Sequence, residues 1–412
     1  MSHNRNPSPP RDLGELEGVE FPDLPSLDGY LQYWGTHKVT EKNVIYTWIN
    51  EEGKLMNRRT YQELHGNASY IAQKLLTSTK PVIKPGDRVL LIHLPGLEFI
   101  DAFFGCIRAG VIPVPVLPPD PMQSGGQALL KVENISKMCN AVAILSTSSY
   151  HAAVRAGYIK NIVTLAKRVQ KCSAQWPDIP WIQTDSWIKN YRRSSDSFNS
   201  DTVLFTKPQP SDLCFLQFTS GSTGDAKGVM ITHEGLIHNV KTMKKRYRST
   251  SKTVLVSWLP QYHDMGLIGG LFTALVSGGT SVLFSPMTFI RNPLLWLQTI
   301  NDYHGTHSAG PNFAFELVIR RLEAEKNKVY DLSSMVFLMI AAEPVRQKTV
   351  RRFIELTQPF GLSEGVLAPG YGLAENCVYV TCAFGECKPV FIDWHGRVCC
   401  GYVEQDDSDT LI

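Results

Sequence analysis

Ten residues place the tightest constraint on what this chain can fold into. Thr219-Ser-Gly-Ser-Thr-Gly-Asp-Ala-Lys-Gly228 lies between two short apolar runs, Leu213-Cys-Phe-Leu216 and Val229-Met-Ile231. Both runs read as strands, so the segment is a loop that joins strand to strand. Its glycines let the backbone approach a ligand closely, and its successive N–H groups and hydroxyls can surround phosphate oxygens, with Lys227 adding positive charge. A plain Ser/Gly surface loop shares this composition, but seldom follows a buried strand directly and ends in lysine. A Walker-type loop is excluded, because it needs Gly-Lys-Ser/Thr with a helix starting at the lysine. Here Ala226 precedes Lys227, Gly228 follows it, and the helix begins near Thr232, with Leu236, Ile237, Val240 and Met243 on one face.

The rest of the chain alternates helical patterns with short apolar runs, as in Val89–Ile92, Glu98–Ala109, Val111–Val116 and Ala141–Ser146. That alternation predicts an α/β layer architecture. We expect a mobile lead over residues 1–25, a first α/β subdomain over 26–201 and a second over 202–376. Residues 377–412 are too few for another ordinary domain. A single core stops growing near about 250–300 residues, so a chain of 412 should be subdivided.

Composition narrows the function class. Charged residues make up 19% of the chain, below the usual figure of about 25%, and 43% are apolar. This suits a well-buried enzyme and excludes a disordered or collagenous protein. The net charge is only +3, and the one strongly basic run, Lys241–Arg248, reads as a solvated helix face rather than a nucleic-acid surface. Nine cysteines, an odd number, with no apolar signal segment at the start, point to reduced thiols in the cytoplasm. Five of them cluster from Cys377 to Cys400 without the C-x-x-C spacing of a zinc ribbon. Met265–Ile290 has no charged residue, which is long enough for a membrane span. Its five glycines and Pro286 favour instead a buried helix followed by a buried strand at Thr280–Phe284.

At this point the sequence resembles the adenylate-forming superfamily of acyl-CoA synthetases, luciferases and peptide-synthetase adenylation domains. Its phosphate loop reads T-S-G-S-T-G-x-P-K-G, and this chain departs from it only at Ala226. Three further segments match in the expected order: Trp258-Leu-Pro-Gln-Tyr-His-Asp-Met-Gly266, Ala342-Glu-Pro344 and Tyr371-Gly-Leu-Ala-Glu375. Three details resemble the fatty acyl-AMP ligase branch: Phe103–Pro119, His263–Gly269 and Gly310-Pro-Asn-Phe-Ala-Phe315. Cys377–Val403 sits where that branch carries an insertion. Ile340-Ala341 stands where the branch usually has Asn-Gly.

The resemblance implies a reaction of a fatty acid carboxylate with ATP and Mg2+, giving acyl-adenylate and pyrophosphate. The acyl group would then pass to an acyl carrier protein or to CoA. Catalysis of this kind is mostly positioning and neutralisation of phosphate charge. The resemblance implies that Thr219, Ser220, Gly221, Ser222, Thr223, Gly224 and Lys227 hold the phosphates. It places Tyr371 and Gly372 against adenine, with the Ala342-Glu343 backbone at its edge. Glu375 would bind Mg2+, with a hydroxyl from Thr223. His263 would border the carboxylate, and Met265, Gly310, Pro311 and Phe313 the acyl site. Asp264 would make a local backbone bond, and the helix bearing Phe313, Leu317, Val318 and Leu322 would be core before tunnel wall. The chain would stop before the β-barrel-like part of the fold is complete, and full-length members continue with a Thr-Gly-Asp turn, a hinge and a small domain carrying a catalytic lysine. None of these follows Glu375 before Ile412, so the alternative is a non-catalytic module that binds nucleotide or acyl chain.

Overall fold

The computed structural model describes residues 12–121, 126–165, 175–193, 207–219, 227–325, 328–384, 391–392 and 398–399. In chain order its strands are β1 (Val44–Ile49), β2 (Leu55–Thr60), β3 (Arg88–Leu91), β4 (Ile112–Pro115), β5 (Ala143–Ser146), β6 (Trp181–Gln183), β7 (Leu213–Thr219) and β8 (Lys227–Thr232). There follow β9 (Val254–Ser257), β10 (Thr280–Leu283), β11 (His307–Pro311), β12 (Phe337–Ala341), β13 (Leu367–Gly372) and β14 (Tyr379–Cys382). Beyond them Phe391–Ile392 pairs with Val398–Cys399.

Three assemblies hold these strands: an eight-stranded sheet ordered β14-β13-β12-β11-β9-β10-β1-β2, a four-stranded sheet ordered β4-β3-β5-β6, and the hairpin β7–β8. From β13 to β1 the large sheet is parallel, with β14 and β2 joining antiparallel at its edges. Parallel strands covered on both faces need unbroken apolar runs rather than alternation. All five residues of β12, Phe337-Leu-Met-Ile-Ala341, are accordingly buried. The α/β reading holds, and the loop at 219–227 does join two strands. One pairing crosses the expected division at residue 201: β1 pairs with β10, so the two α/β blocks share a sheet.

Helix Tyr61–Leu76 starts with a reciprocal capping box between Thr60 and Glu63, which satisfies two of its free N–H groups. Its Asn67 donates to Asp101 of helix Leu97–Arg108 at 2.9 Å, and Arg59 grips the same carboxylate at 2.9 Å with both partners 3% exposed. A buried carboxylate is tolerable here because every donor around it is used.

Two sequence expectations change in the structure. Residues 12–25, expected as part of a mobile lead, lie docked on helix His233–Tyr247. Asp23 pairs with Lys241, Glu15 accepts from Ser251 N and Oγ at 2.7 and 2.6 Å, and Lys244 lies 4.2 Å above the Phe21 ring. The basic run therefore meets acidic partners from the other end of the chain. In the uncharged stretch, Met265–Phe272 forms a π-helix rather than an α-helix, continues as α-helix Thr273–Ser277, and then enters β10. Among the described residues no helix is long and apolar enough to cross a membrane.

Candidate functional site

In the large sheet the chain runs from β9 to β10 on one side, then returns to lay β11 on the other side of β9. Such a switch opens a crevice outside the carboxyl ends of the strands, where ligands of α/β sheets bind. Four of the predicted segments follow those ends on neighbouring strands. The His263 loop leaves β9, Gly310-Pro311 ends β11, Ala342-Glu343 leaves β12, and Tyr371-Gly372 ends β13. Residues more than a hundred positions apart are thus brought to one rim.

The β7–β8 hairpin flanks the segment expected to hold phosphates. Thr219 and Lys227 face each other in register at its mouth. Ser220, Gly221, Ser222, Thr223 and Gly224 lie outside the described residues. Lys227 is exposed. Gln217 of β7 donates to Tyr262 O at 3.0 Å, which ties the hairpin to the His263 loop. On its other side β8 touches the short helix Ala374–Asn376 that carries Glu375. Asn239, on the helix after the hairpin, accepts from Tyr379 N at 3.1 Å and donates to Tyr379 O at 2.8 Å. That amide clamp locks the turn after Tyr371 against the hairpin's own helix.

His263 is more than half exposed, and its Nδ1 lies 2.7 Å from Asp264 Oδ1. This hydrogen bond raises the imidazole above its ordinary value, against the opposing effect of burial. Asp264 also accepts from Met265 N at 2.6 Å, the local backbone bond expected for it, and so caps the π-helix. The loop is tight: a Cβ on Gly266 would stand 2.1 Å from Pro260 O, so only glycine fits. Gly372 is equally constrained, since a Cβ there would meet Val378 O at 1.8 Å.

The residues expected beside adenine are open. Tyr371 is 60% exposed, which leaves a ring face free for stacking. Ala342 has φ +68, a left-handed conformation that costs a non-glycine residue about 1–2 kcal/mol. Glu343 turns its carboxylate away to accept from Phe313 N at 2.6 Å. The exposed carboxylate of Glu375 suits one hard oxygen ligand for Mg2+, an ion that usually keeps waters and takes substrate phosphates for the rest of its shell. Among the described residues no group of three His, Cys, Asp or Glu is placed to hold a metal.

The acyl-side residues divide. Phe313 is 41% exposed and approaches Trp258 edge-on at 6.3 Å, at the rim. Gly310 packs under Trp296, to which an added Cβ would come within 3.0 Å. Met265 is buried and faces a narrow apolar slot of about 40 Å³. Sequence reading missed the other walls of this slot: Tyr247, Leu255, His307, Phe337 and Met339. They come from four separate elements, so no local pattern marks them; the adjacent Gly269-Gly270, which also line it, were the one visible signal. Tyr247 stacks on Phe337 at 4.1 Å. His307 is buried and held neutral, at about 4, because burial disfavours its charge. Its Nε2 donates to Tyr247 O at 2.9 Å and its Nδ1 accepts from Thr306 at 2.8 Å. A neutral, fully bonded imidazole keeps the slot apolar.

Comparison with known proteins agrees with this geometry. Residues 38–403 match the AMP-binding enzyme family. The chain is 36% identical over 362 residues to the medium-chain-fatty-acid–[acyl-carrier-protein] ligase JamA of Moorena producens, covering 87% of this chain and 56% of that protein. It is 35% identical over 327 residues to the long-chain-fatty-acid–AMP ligase FadD26 of Mycobacterium marinum, covering 78% and 51%. The crystal structure of a fatty acyl-adenylate ligase from L. pneumophila, in complex with acyl adenylate and pyrophosphate, superposes with a TM-score of 0.75. That pair is 32% identical, over 94% of this chain and 62% of the other. The chain thus spans a little over half the length of the relatives it matches. On the family match, and with four motif segments along one sheet edge, the chain belongs to the AMP-binding enzymes, the adenylate-forming superfamily.

Proposed function

We propose that this chain activates a fatty acid carboxylate with ATP and Mg2+, forming acyl-adenylate and pyrophosphate, and hands the acyl group to a carrier-protein or CoA thiol. The reading is supported chiefly by one observation: an apolar slot bordered by Leu259, Met265 and Val378 lies against the sheet whose strand ends bear the open tyrosine, Glu375 and the mouth of the hairpin. Bound Mg2+ would supply charge neutralisation on the phosphate oxygens. Thr219 to Thr223 and Lys227 hold the pyrophosphate end, Tyr371 and Gly372 receive adenine beside the Ala342-Glu343 backbone, and Glu375 binds the metal with Thr223. A carboxylate oxygen bonds to the α-phosphorus as the bond from that phosphorus to pyrophosphate breaks. His263, its proton favoured by Asp264, draws the carboxylate to the rim. Met265, Gly310, Pro311 and Phe313 border the start of the alkyl chain. The buried thiols of Cys106, Cys139, Cys214 and Cys377, which form no disulfide among the described residues, are consistent with work in the cytoplasm.

A second reading is a module that binds nucleotide and acyl chain without turnover. Exchange of labelled pyrophosphate into ATP separates the two. Fatty-acid-dependent exchange by the 412-residue chain supports the ligase. Binding of AMP and fatty acid without exchange selects the module, and binding of neither removes both.

A further inference from the structure

The turn after β12 reaches in two directions. Ala342 stands exposed just beyond the end of β12 in a left-handed conformation, while the next side chain, Glu343, crosses to helix Asn312–Ala324. Glu343 Oε1 accepts from Phe313 N at 2.6 Å, across 30 positions of sequence. That helix begins at Pro311 with no side-chain cap and no acidic residue in its first turn. The carboxylate of Glu343 is therefore the anion at its positive end, and satisfies an N–H group the helix leaves free.

A second tie runs the other way. Arg346 N donates to Asn312 Oδ1 at 3.0 Å, and Asn312 Nδ2 donates to Glu316 Oε1 at 3.0 Å. Thr349 Oγ1 donates to the same Glu316 oxygen at 3.1 Å. Asn312 is 3% exposed, so these bonds compete little with water. The turn beside the adenine position and the helix that presents Phe313 to the acyl rim are thus one hydrogen-bonded body.

We propose that Glu343 is a positioning residue that couples nucleotide binding to carboxylic acid binding, a role that rests on the function proposed above. A nucleotide that fixes the Ala342 turn fixes Glu343, and through the Phe313 N–H it sets the first turn of the helix. The acid then meets a wall already in place, and by linkage the acid favours the nucleotide to the same degree. The Asn312 ties hold the helix start to the turn but do not reach the Ala342-Glu343 peptide, so the carboxylate is the link nearest the nucleotide.

Titration calorimetry on the 412-residue chain, with AMP and decanoate as probes, tests this without turnover. For the unaltered chain, saturating decanoate should tighten AMP at least about 5-fold, and AMP should tighten decanoate by the same factor. Glu343→Gln, whose amide oxygen still accepts, should keep the factor. Glu343→Ala should bring it to within twofold of one, as should Glu343→Asp, which retains the charge but falls a methylene short. A role confined to stability would lower Tm and weaken each probe equally with and without the other, leaving the factor unchanged; that result overturns the proposal. Binding of both probes by the unaltered chain with no coupling also overturns it, while the functional reading stands. Binding of neither probe removes the functional reading and this proposal together.

Discussion

In the four-stranded sheet the carboxyl ends of the strands are closed by the chain's own hydrogen bonds. Ser146 Oγ donates to Ile92 O at 2.6 Å, Tyr150 Oη to Pro119 O at 2.6 Å, and Ser148 gives both N–H and hydroxyl to Asp185 at 2.7 and 2.6 Å. At the same ends of the large sheet the groups face outward: Tyr371 and Glu375 are exposed, His263 is more than half exposed, and Ala342 is held in a left-handed turn. Both are built on parallel strands, the large sheet from β13 to β1, so architecture alone does not make a site. Polar groups at a strand end either satisfy one another and confer stability, or stay open and serve a ligand.

The difference can be tested by effects that fall on one sheet, the other, or both. Acid should act on both. His93, beyond β3, and His307, in β11, are buried and held neutral, at about 3 and about 4, by burial. Their folded values lie below the unfolded value of about 6.5, so stability is full above 6.5 and falls as pH drops toward those values. Between pH 7 and pH 5 each ring should cost about 2 kcal/mol, seen as a falling urea midpoint. His93→Asn and His307→Asn variants that keep the full pH slope would refute this assignment. Comparable to the two rings together, Asp101→Ala should cost about 3–5 kcal/mol, because it leaves Arg59 buried without its partner. AMP affinity of the molecules still folded should be unchanged, and a loss there would show that this ion pair, which ties β2 of the large sheet to helix Leu97–Arg108, also serves the site.

Tyr371→Ala should do the reverse. Stability in urea should stay within about 0.5 kcal/mol, as for surface changes generally. AMP affinity should fall about 10-fold, roughly the worth of one aromatic stacking contact, with Tyr371→Phe close to the unaltered chain. An unchanged affinity in the alanine variant would remove Tyr371 from the adenine platform. The smallest effect belongs to Ala342→Gly, which relieves the left-handed strain and adds backbone entropy to the unfolded state. The net should be a gain of about 0.5–1 kcal/mol by thermal melting. A loss would mean that the Ala342 methyl makes a contact worth more than the strain.

What the sequence made legible was local. The Thr219–Gly228 loop could be read because flanking strands and glycine spacing are properties of one short segment. The order of the motif segments could be read as well, but not the strand order that brings them to one rim, since β9 takes β10 and β11 on opposite sides. Docking of residues 12–25 escaped because Asp23 and Lys241 are 218 positions apart and complement each other only by charge. The slot escaped for the same reason. Ala342 escaped differently: left-handed turns are expected at glycine, and alanine at that position gives no warning.

The pairing of β1 with β10 has a consequence for synthesis. Thr280 Oγ1 bonds to Ile45 O across 235 positions, and Tyr46 Oη reaches Leu271 O. At about 5–20 residues per second, the β1–β2 hairpin waits on the order of 10–50 s on the ribosome before its parallel neighbour exists. A two-stranded hairpin is marginal alone, and Ile45, Tyr46 and Ile49, all buried in the finished fold, stay open to other chains during that wait. Yield of folded protein should therefore follow translation speed and chaperone supply more than equilibrium stability. Co-expression of a holdase that covers apolar strands early in synthesis should raise the soluble fraction more than any stabilising substitution at the far end of the sheet.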